Sequence, residues 1–189
     1  MTRRREVATL WIGGPLSWFE QLCLKSFVDQ GHKITLFHYE DIPNVPPGVL
    51  MEDARAILGS DVFLEYKHAG GLALFTDLFR IHMLKARAGL IWVDPDVFCL
   101  RPLQYDSDVV MGFDAPDAQR VHSAVLGLPQ DHPMLDAMIA FMADPCAIPP
   151  FLPPKQRAEY EAARDAGTLV HVRQQLSGTQ DHTFLYMLY

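Results

Sequence analysis

Within the first forty residues, two apolar segments flank one amphipathic segment, and this order constrains the fold more than any other feature. The apolar run Val7–Ile12 predicts a buried strand, and Lys33–Tyr39 predicts a second one. Between them, Ser17 and Glu20 have the spacing of a capping box, which predicts a helix that begins at Ser17. Strand, helix and strand in this order are typical of a parallel βαβ unit, so we expect an α/β fold.

The remainder of the chain continues the alternation of strands and helices. Further strands are predicted at 90–93, 109–113, 124–128 and 168–172, and further helices at 53–58, 71–87, 134–142 and 155–166. The apolar stripe of the first helix is expected to contain Phe19, Leu22, Cys23, Phe27 and Val28. Residues 183–189 are apolar at helical spacing without a stop signal, which suggests truncation at the C-terminus. The pattern predicts a single domain with a mostly parallel sheet flanked by helices.

Charge and composition exclude several classes of protein. Sixteen basic and 23 acidic side chains give a formal charge of −7, which disfavours binding to nucleic acid. No apolar run reaches the roughly 18 residues of a membrane span, and no signal peptide is recognisable at the N-terminus. The three cysteines are widely spaced and form no CxxC pair. We therefore expect reduced thiols and a cytoplasmic protein.

The motif Asp94-Pro95-Asp96 follows the apolar strand at 90–93 directly. In an extended segment, residues i and i+2 point to the same side, so the two carboxylates are expected to converge at the carboxyl edge of the sheet. Two clustered carboxylates repel each other unless a cation lies between them, and hard oxygen ligands suit Mg²⁺ or Mn²⁺. The alternative is a loop that carries two solvated aspartates.

Asp77 and Arg80 are three residues apart on one face of the helix predicted at 71–87. One interpretation is an ion pair within the helix at the protein surface. The other places Arg80 on a phosphate or hydroxyl of a ligand and Asp77 on sugar hydroxyls, because the planar guanidinium binds two oxygens at once.

Trp11 ends the first predicted strand beside Gly13 and Gly14. It is either a core residue or a flat surface for a nucleobase, which the glycines would allow the backbone to approach. Asp114 and Asp117 are loop residues or line an acceptor pocket. No two histidines have the HxxxH spacing of a helical zinc site, so these seven are expected to be core or solvated residues: His32, His38, His68, His82, His122, His132 and His171.

Residues 71–103 read GLALFTDLFRIHMLKARAGLIWVDPDVFCLRPL. This segment resembles the "sugar-binding region containing DXD motif" of retaining glycosyltransferases, a family that includes capsular polysaccharide, yeast-type mannosyl-, alpha-1,4-glycosyl- and toxin glucosyltransferases. Phe75 and Ala88 depart from the pattern, where a small residue and a first glycine are usual. The residues that match it are Thr76, Asp77, Arg80, Gly89, Trp92, Asp94 and Asp96.

The resemblance implies a GT-A fold, in which a Rossmann-like sheet holds a nucleotide sugar and a divalent metal. Residues 7–103 would form the part that binds the nucleotide sugar and the metal, and 104–189 an acceptor-side part that is incomplete. The implied activity is metal-dependent transfer of a hexosyl group with retention of configuration, from a UDP-sugar to a glycan or small hydroxyl acceptor. The implied cofactor is Mn²⁺ or Mg²⁺.

The resemblance also implies a role for each matching position. Asp94, Asp96 and Arg80 would be the catalytic residues, and Asp94 and Asp96 the metal site. For the donor, Trp11 would stack on the base, Asp77 and Arg80 would hold the sugar, Trp92 would line its pocket, and Asp94 would contact the ribose and a metal-bound water.

Two alternatives remain open from the sequence. The first is a degenerate or truncated domain that binds a nucleotide sugar without transferring it. The second is a phosphatase of the haloacid-dehalogenase type, in which an apolar strand precedes a DxD whose first Asp is a nucleophile. That motif normally continues with Gly and Thr, whereas Val97 and Phe98 follow here.

Overall fold

The computed structural model describes residues 5–63, 72–113, 121–144, 146–148 and 152–168. Six strands form one sheet: β1 (Glu6–Trp11), β2 (Ile34–His38), β3 (Leu50–Asp53), β4 (Leu90–Val93), β5 (Val110–Phe113) and β6 (Val121–Gly127). The helices are α1 (Trp18–Asp29), α2 (Leu72–Ala86), α3 (Pro133–Ala143) and α4 (Pro154–Asp165), with a 3-10 turn at Ala54–Ala56. The predicted strand at 168–172, beyond its first residue, and the apolar segment 183–189 lie outside the described residues.

The strand order in the sheet is β3-β2-β1-β4-β6-β5. The first four strands are mutually parallel, whereas β6 runs antiparallel to both β4 and β5. The predicted α/β class with a mostly parallel sheet flanked by helices is therefore confirmed. From β1 the chain moves outward to β2 and β3, and then returns to the other side of β1 as β4. The sheet thus has its topological switch point between β1 and β4, and in open α/β sheets ligands bind beyond the carboxyl ends of the strands at this point.

Helices cover both faces of the sheet. On one face, Leu24 and Phe27 of α1 pack with β1, β2 and β4. On the other, α2 and α3 contribute Phe75, Phe79 and Met138 to a larger apolar cluster that also contains Trp92 of β4. Strands β1, β2 and β4 are thereby buried on both sides, which explains their largely apolar sequence.

The start of α1 confirms the predicted capping box. The Ser17 hydroxyl accepts from the Phe19 amide, and the Glu20 carboxylate accepts from the Ser17 amide at 2.8 Å. The predicted apolar stripe is partly wrong, since Phe19 and Leu22 are exposed. Cys23 and Phe27 are buried as predicted, and Leu24 is buried with them, so the buried face of α1 is rotated away from Phe19 and Leu22.

The segment around residue 53 folds differently from the prediction. Leu50–Asp53 forms the edge strand β3, and a 3-10 turn of three residues, Ala54–Ala56, follows it directly. The Asp53 carboxylate accepts from the Arg55 amide at 2.8 Å and so caps this short turn. A cap followed by helix formers is common to a single 3-10 turn and a full helix, and the structure has the shorter form. Pairing with β2 adds the strand at 50–53, which the sequence did not predict.

Two further expectations, on membrane spans and on the cysteines, can be compared with the structure. Among the described helices, none is both long enough and apolar enough to cross a bilayer. Cys23, Cys99 and Cys146 are all free thiols, and the first two are buried.

Candidate functional site

The end of β1 forms one side of the switch point. Trp11 is half-buried, and its indole N–H donates to the Gly14 carbonyl at 2.9 Å, which fixes the ring over the turn that follows the strand. Gly13 has φ of 123°, a conformation that side chains with a Cβ rarely adopt. The space beside both glycines is open, since a Cβ added at Gly13 or Gly14 would meet no atom within 4 Å. The backbone of this turn is therefore accessible beside the half-buried Trp11 ring.

The end of β4 forms the other side, and here the chain turns at once. The Val97 amide donates to the Asp94 carbonyl at 3.1 Å, which closes a four-residue turn around Pro95 and Asp96. Proline suits the second position of such a turn because its φ is fixed near the required value. The expectation of an extended segment at 94–96 is therefore wrong. The rule that places residues i and i+2 on one side does not apply across a turn.

Asp94 is bound to α2 by the buried side chain of Arg80. Arg80 is only 4% exposed, and its Nη2 lies 3.0 Å from Asp94 Oδ1 and 3.2 Å from Asp77 Oδ1. Its Nη1 donates to the Ser123 carbonyl of β6 at 3.0 Å. The predicted proximity of Asp77 and Arg80 is present, but as part of a buried cluster that joins a helix and two strands. The first interpretation of this pair, an ion pair at the protein surface, is therefore wrong.

Trp92 completes this cluster from within the sheet. It has no exposed surface, and its indole Nε1–H donates to Asp94 Oδ1 at 2.6 Å. The Arg80 guanidinium lies over the indole ring, with its carbon 5.0 Å from the ring centroid. Trp92 and Asp94 are two residues apart at the end of a strand, so their side chains share the face that packs on α2. Trp92 thus reaches the site only through its nitrogen.

Asp96 has a different environment from Asp94. Its side chain is exposed, and within the described part of the chain it forms no hydrogen bond or ion pair. Burial, followed by the negative charges of Asp96 and then Glu20, raises the pKa of the Cys23 thiol on α1. Asp94 is therefore held from the α2 side of the sheet, whereas Asp96 lies nearer to α1.

The fit of a divalent metal depends on these two carboxylates. No group of three or more His, Cys, Asp or Glu side chains is placed to hold a metal in the described ranges. Mg²⁺ and Mn²⁺ are commonly bound by one or two carboxylates, with substrate phosphates and water completing the coordination. Asp96, whose side chain is exposed, and Asp94 Oδ2, which no described residue hydrogen-bonds, are donors of this kind.

The sequence did not indicate that two further polar residues would lie on the same sheet edge. Trp11, His38 and Asp53 are direct neighbours in register at the last positions of β1, β2 and β3. The His38 Nδ1–H donates to the Glu40 carbonyl at 3.1 Å, and the hydrogen bond from the Arg55 amide lowers the pKa of Asp53. The last residue of each parallel strand is the signal that could have found them. Asp53 escapes this signal because the sequence predicts no strand at 50–53 and places Asp53 at the start of a helix.

Other predicted residues lie elsewhere or beyond the described chain. Asp114 and Asp117 are outside the described residues. His32 is a core residue, as one expectation for the histidines allowed: its ring nitrogens contact the Arg5 carbonyl at 2.7 Å and the Leu103 amide at 2.9 Å. A groove of about 490 Å³ is lined by Gly89, Leu90 and Asp131 among others, but it lies at the amino end of β4, away from Asp94.

The sheet order, the switch point between β1 and β4, and the antiparallel β6 beside β4 define a mixed α/β fold like that of GT-A glycosyltransferases. One solved structure with this fold is "PaToxG Glycosyltransferase": the two chains are 12% identical and superpose with a TM-score of 0.54, over 98% of this chain and 73% of that one. No family model and no curated protein sequence matches the chain.

Proposed function

We propose that this protein transfers a sugar from a nucleotide-sugar donor to a hydroxyl-bearing acceptor, with the donor bound at the edge between β1 and β4. The observation that carries this proposal is the Asp94 carboxylate, which Arg80 and Trp92 fix at the switch point of a glycosyltransferase-like sheet. An exposed carboxylate, Asp96, and a half-buried aromatic ring, Trp11, lie on the same edge. The resemblance of residues 71–103 favours UDP as the nucleotide.

In this proposal, each residue binds or positions one part of the donor. Trp11 stacks on the nucleobase, for which its indole is already held by Gly14. Asp94 accepts from ribose hydroxyls through Oδ2. Asp77 retains 16% exposure of its side chain and accepts from a hydroxyl of the donor sugar. Both terminal nitrogens of Arg80 are engaged by the protein, so we assign Arg80 to holding these two carboxylates in place, in preference to direct contact with the sugar.

We propose that Asp96, assisted by Asp94, holds Mn²⁺ or Mg²⁺. When bound, the ion neutralises the negative charge that develops on the departing diphosphate. The exposed position of Asp96 in a turn supports this role because the carboxylate is free to meet a ligand from solvent. The resemblance at 71–103 supports retention of configuration, in which the acceptor attacks from the face that the diphosphate leaves. The acceptor proton then passes to a diphosphate oxygen, so no protein base is required.

The test is thermal unfolding of the wild type with UDP and a panel of UDP- and GDP-sugars, with and without Mn²⁺. A ligand at 100 times its dissociation constant stabilises the folded state by about 2.7 kcal/mol, which such a measurement detects readily. We expect a Mn²⁺-dependent shift with one UDP-sugar. The Asp96→Asn variant is expected to lose it, whereas Asp131→Asn, an exposed carboxylate at the opposite edge of the sheet, is expected to keep it.

Further arms of the experiment separate the alternatives. Binding of a UDP-sugar without hydrolysis of the donor and without transfer to added sugars indicates a domain that only binds a nucleotide sugar. This arm uses the full length of the gene product. Hydrolysis of a simple phosphate monoester that Asp94→Asn abolishes indicates the phosphatase. No shift with any nucleotide contradicts the proposed donor site.

A further inference from the structure

We propose that Trp92 is a positioning residue that determines which oxygen of Asp94 faces the ligand. This inference rests on the proposed function, in that it assigns the ligand to Asp94 Oδ2. Its structural basis is the hydrogen bond of 2.6 Å from the Trp92 Nε1–H to Asp94 Oδ1. Trp92 itself has no exposed surface, so it acts on a ligand only through Asp94.

The burial of Trp92 makes this hydrogen bond directional. An indole nitrogen is a donor only, and a buried donor without an acceptor costs about 1–3 kcal/mol. The ring has little freedom to seek another acceptor, since Phe79 packs beside it at 6.4 Å between centroids and the Arg80 guanidinium covers its face. The indole therefore holds Oδ1, and the rotation of the carboxylate about its Cβ–Cγ bond is restricted.

Arg80 does not restrict this rotation by itself. Its Nη2 is shared between Asp77 Oδ1 and Asp94 Oδ1, and a guanidinium binds either oxygen of a carboxylate. Trp92 adds a second donor to the same oxygen, Oδ1, while no described residue hydrogen-bonds Oδ2. The second oxygen is thereby left for a hydroxyl, a water or a cation.

The absence of charge on the indole matters as much as the direction of its hydrogen bond. The cluster contains one positive side chain and two negative ones, so it retains one net negative charge beside Asp96. A second cation in place of Trp92 would fix Oδ1 equally well but would remove this charge. Trp92 orients the carboxylate without weakening its attraction for a divalent cation.

The first test measures the hydrogen bond itself and does not depend on activity. The chain contains three tryptophans, so ¹⁵N labelling gives three indole N–H resonances, and single Trp→Phe variants assign them. We expect the Trp92 N–H to exchange slowly with solvent and to shift in Asp94→Asn, while the N–H of Trp18, which is 75% exposed, exchanges fast and does not shift. A Trp92 resonance that Asp94→Asn leaves in place overturns the proposal, even where Trp92→Phe fails to fold.

The second test measures the effect on ligand binding by titrating UDP in the presence of Mn²⁺. Since hydrogen bonds to charged groups are worth about 1.5–3 kcal/mol, Trp92→Phe is expected to weaken Mn²⁺-dependent UDP binding about tenfold or more. Trp18→Phe, the matched control on the exposed start of α1, is expected to bind as the wild type does. In an Asp94→Asn background, the loss caused by Trp92→Phe is expected to disappear, which a general structural defect would not produce.

The two proposals fail in different ways. Wild-type binding by a folded Trp92→Phe variant, or an equal loss in the Asp94→Asn background, contradicts the positioning role. A wild type that binds neither Mn²⁺ nor UDP contradicts the proposed function and with it the assignment of a ligand to Oδ2.

Discussion

Arg80 and Asp94 are 14 residues apart in the chain, and their side chains meet with Nη2 and Oδ1 3.0 Å apart. The contact joins the middle of α2 to the end of β4, and the Ser123 carbonyl brings β6 into the same cluster. It lies largely away from water, since the Arg80 side chain is 5% exposed and that of Asp94 is 24% exposed. The Arg80 side chain thus links a helix, two strands and the carboxylate that we place in the donor site.

Arg80→Leu is expected to destabilise the fold strongly. Removal of one partner from a buried ion pair costs about 3–5 kcal/mol, because it leaves the other charge without compensation. Arg55→Leu is the control: Arg55 also contacts an aspartate, but its side chain is 48% exposed, so the loss is expected to be about 1 kcal/mol or less. Urea unfolding measures both free energies. Equal losses in the two variants contradict the buried cluster.

Trp11→Ala is expected to weaken binding of UDP itself. Stacking of a base on an aromatic side chain is worth about 1–3 kcal/mol, so the dissociation constant should rise by about fivefold to 150-fold. Trp18→Ala removes a far more exposed tryptophan from the start of α1 and is expected to leave the affinity unchanged. Isothermal titration with UDP distinguishes the two variants. A larger effect from Trp18 than from Trp11 would place the base elsewhere.

His82 is expected to make the fold less stable in mild acid. Burial lowers the pKa of this α2 histidine below its ordinary value of 6.5. The unfolded state then binds a proton before the folded state does, so the stability is complete above pH 6.5 and decreases as the pH falls toward the pKa of the folded state. His82→Gln removes the titrating group and should flatten this dependence. Urea unfolding between pH 7.5 and 5.5 measures it, and an unchanged slope contradicts the prediction.

Ser17→Ala is expected to reduce stability by about 1 kcal/mol through loss of the cap of α1. The Ser17 hydroxyl accepts from the Phe19 amide at 3.1 Å, and alanine leaves this amide without an intrahelical partner. Ser17→Asn restores an acceptor and should recover most of the loss. Thermal unfolding compares the three proteins; a loss that Asn does not recover indicates a cause other than capping.

Local patterns predicted most of the elements correctly. Short apolar runs mark β1, β2 and β4, and the cap at Ser17 marks α1, because burial and capping depend on residues close together in the chain. The prediction failed where two local interpretations competed. At 53–58, a 3-10 turn of three residues replaces the predicted helix, and the preceding residues 50–53 pair with β2 as a strand that no local pattern predicted. At 94–97, closure of a turn replaced the extended geometry on which the convergence of Asp94 and Asp96 had been based.

The sequence by itself determined which residues carry the candidate chemistry: an aromatic ring at the end of one strand, two aspartates after another, and an Asp–Arg pair on a helix. Only the tertiary structure decided what these residues do to one another. The antiparallel insertion of β6 beside β4 supplies the Ser123 carbonyl, and packing of α2 on the sheet buries Arg80 against Asp94 and Trp92. Such contacts join distant parts of the chain and depend on apolar burial by whole elements, which no local pattern encodes.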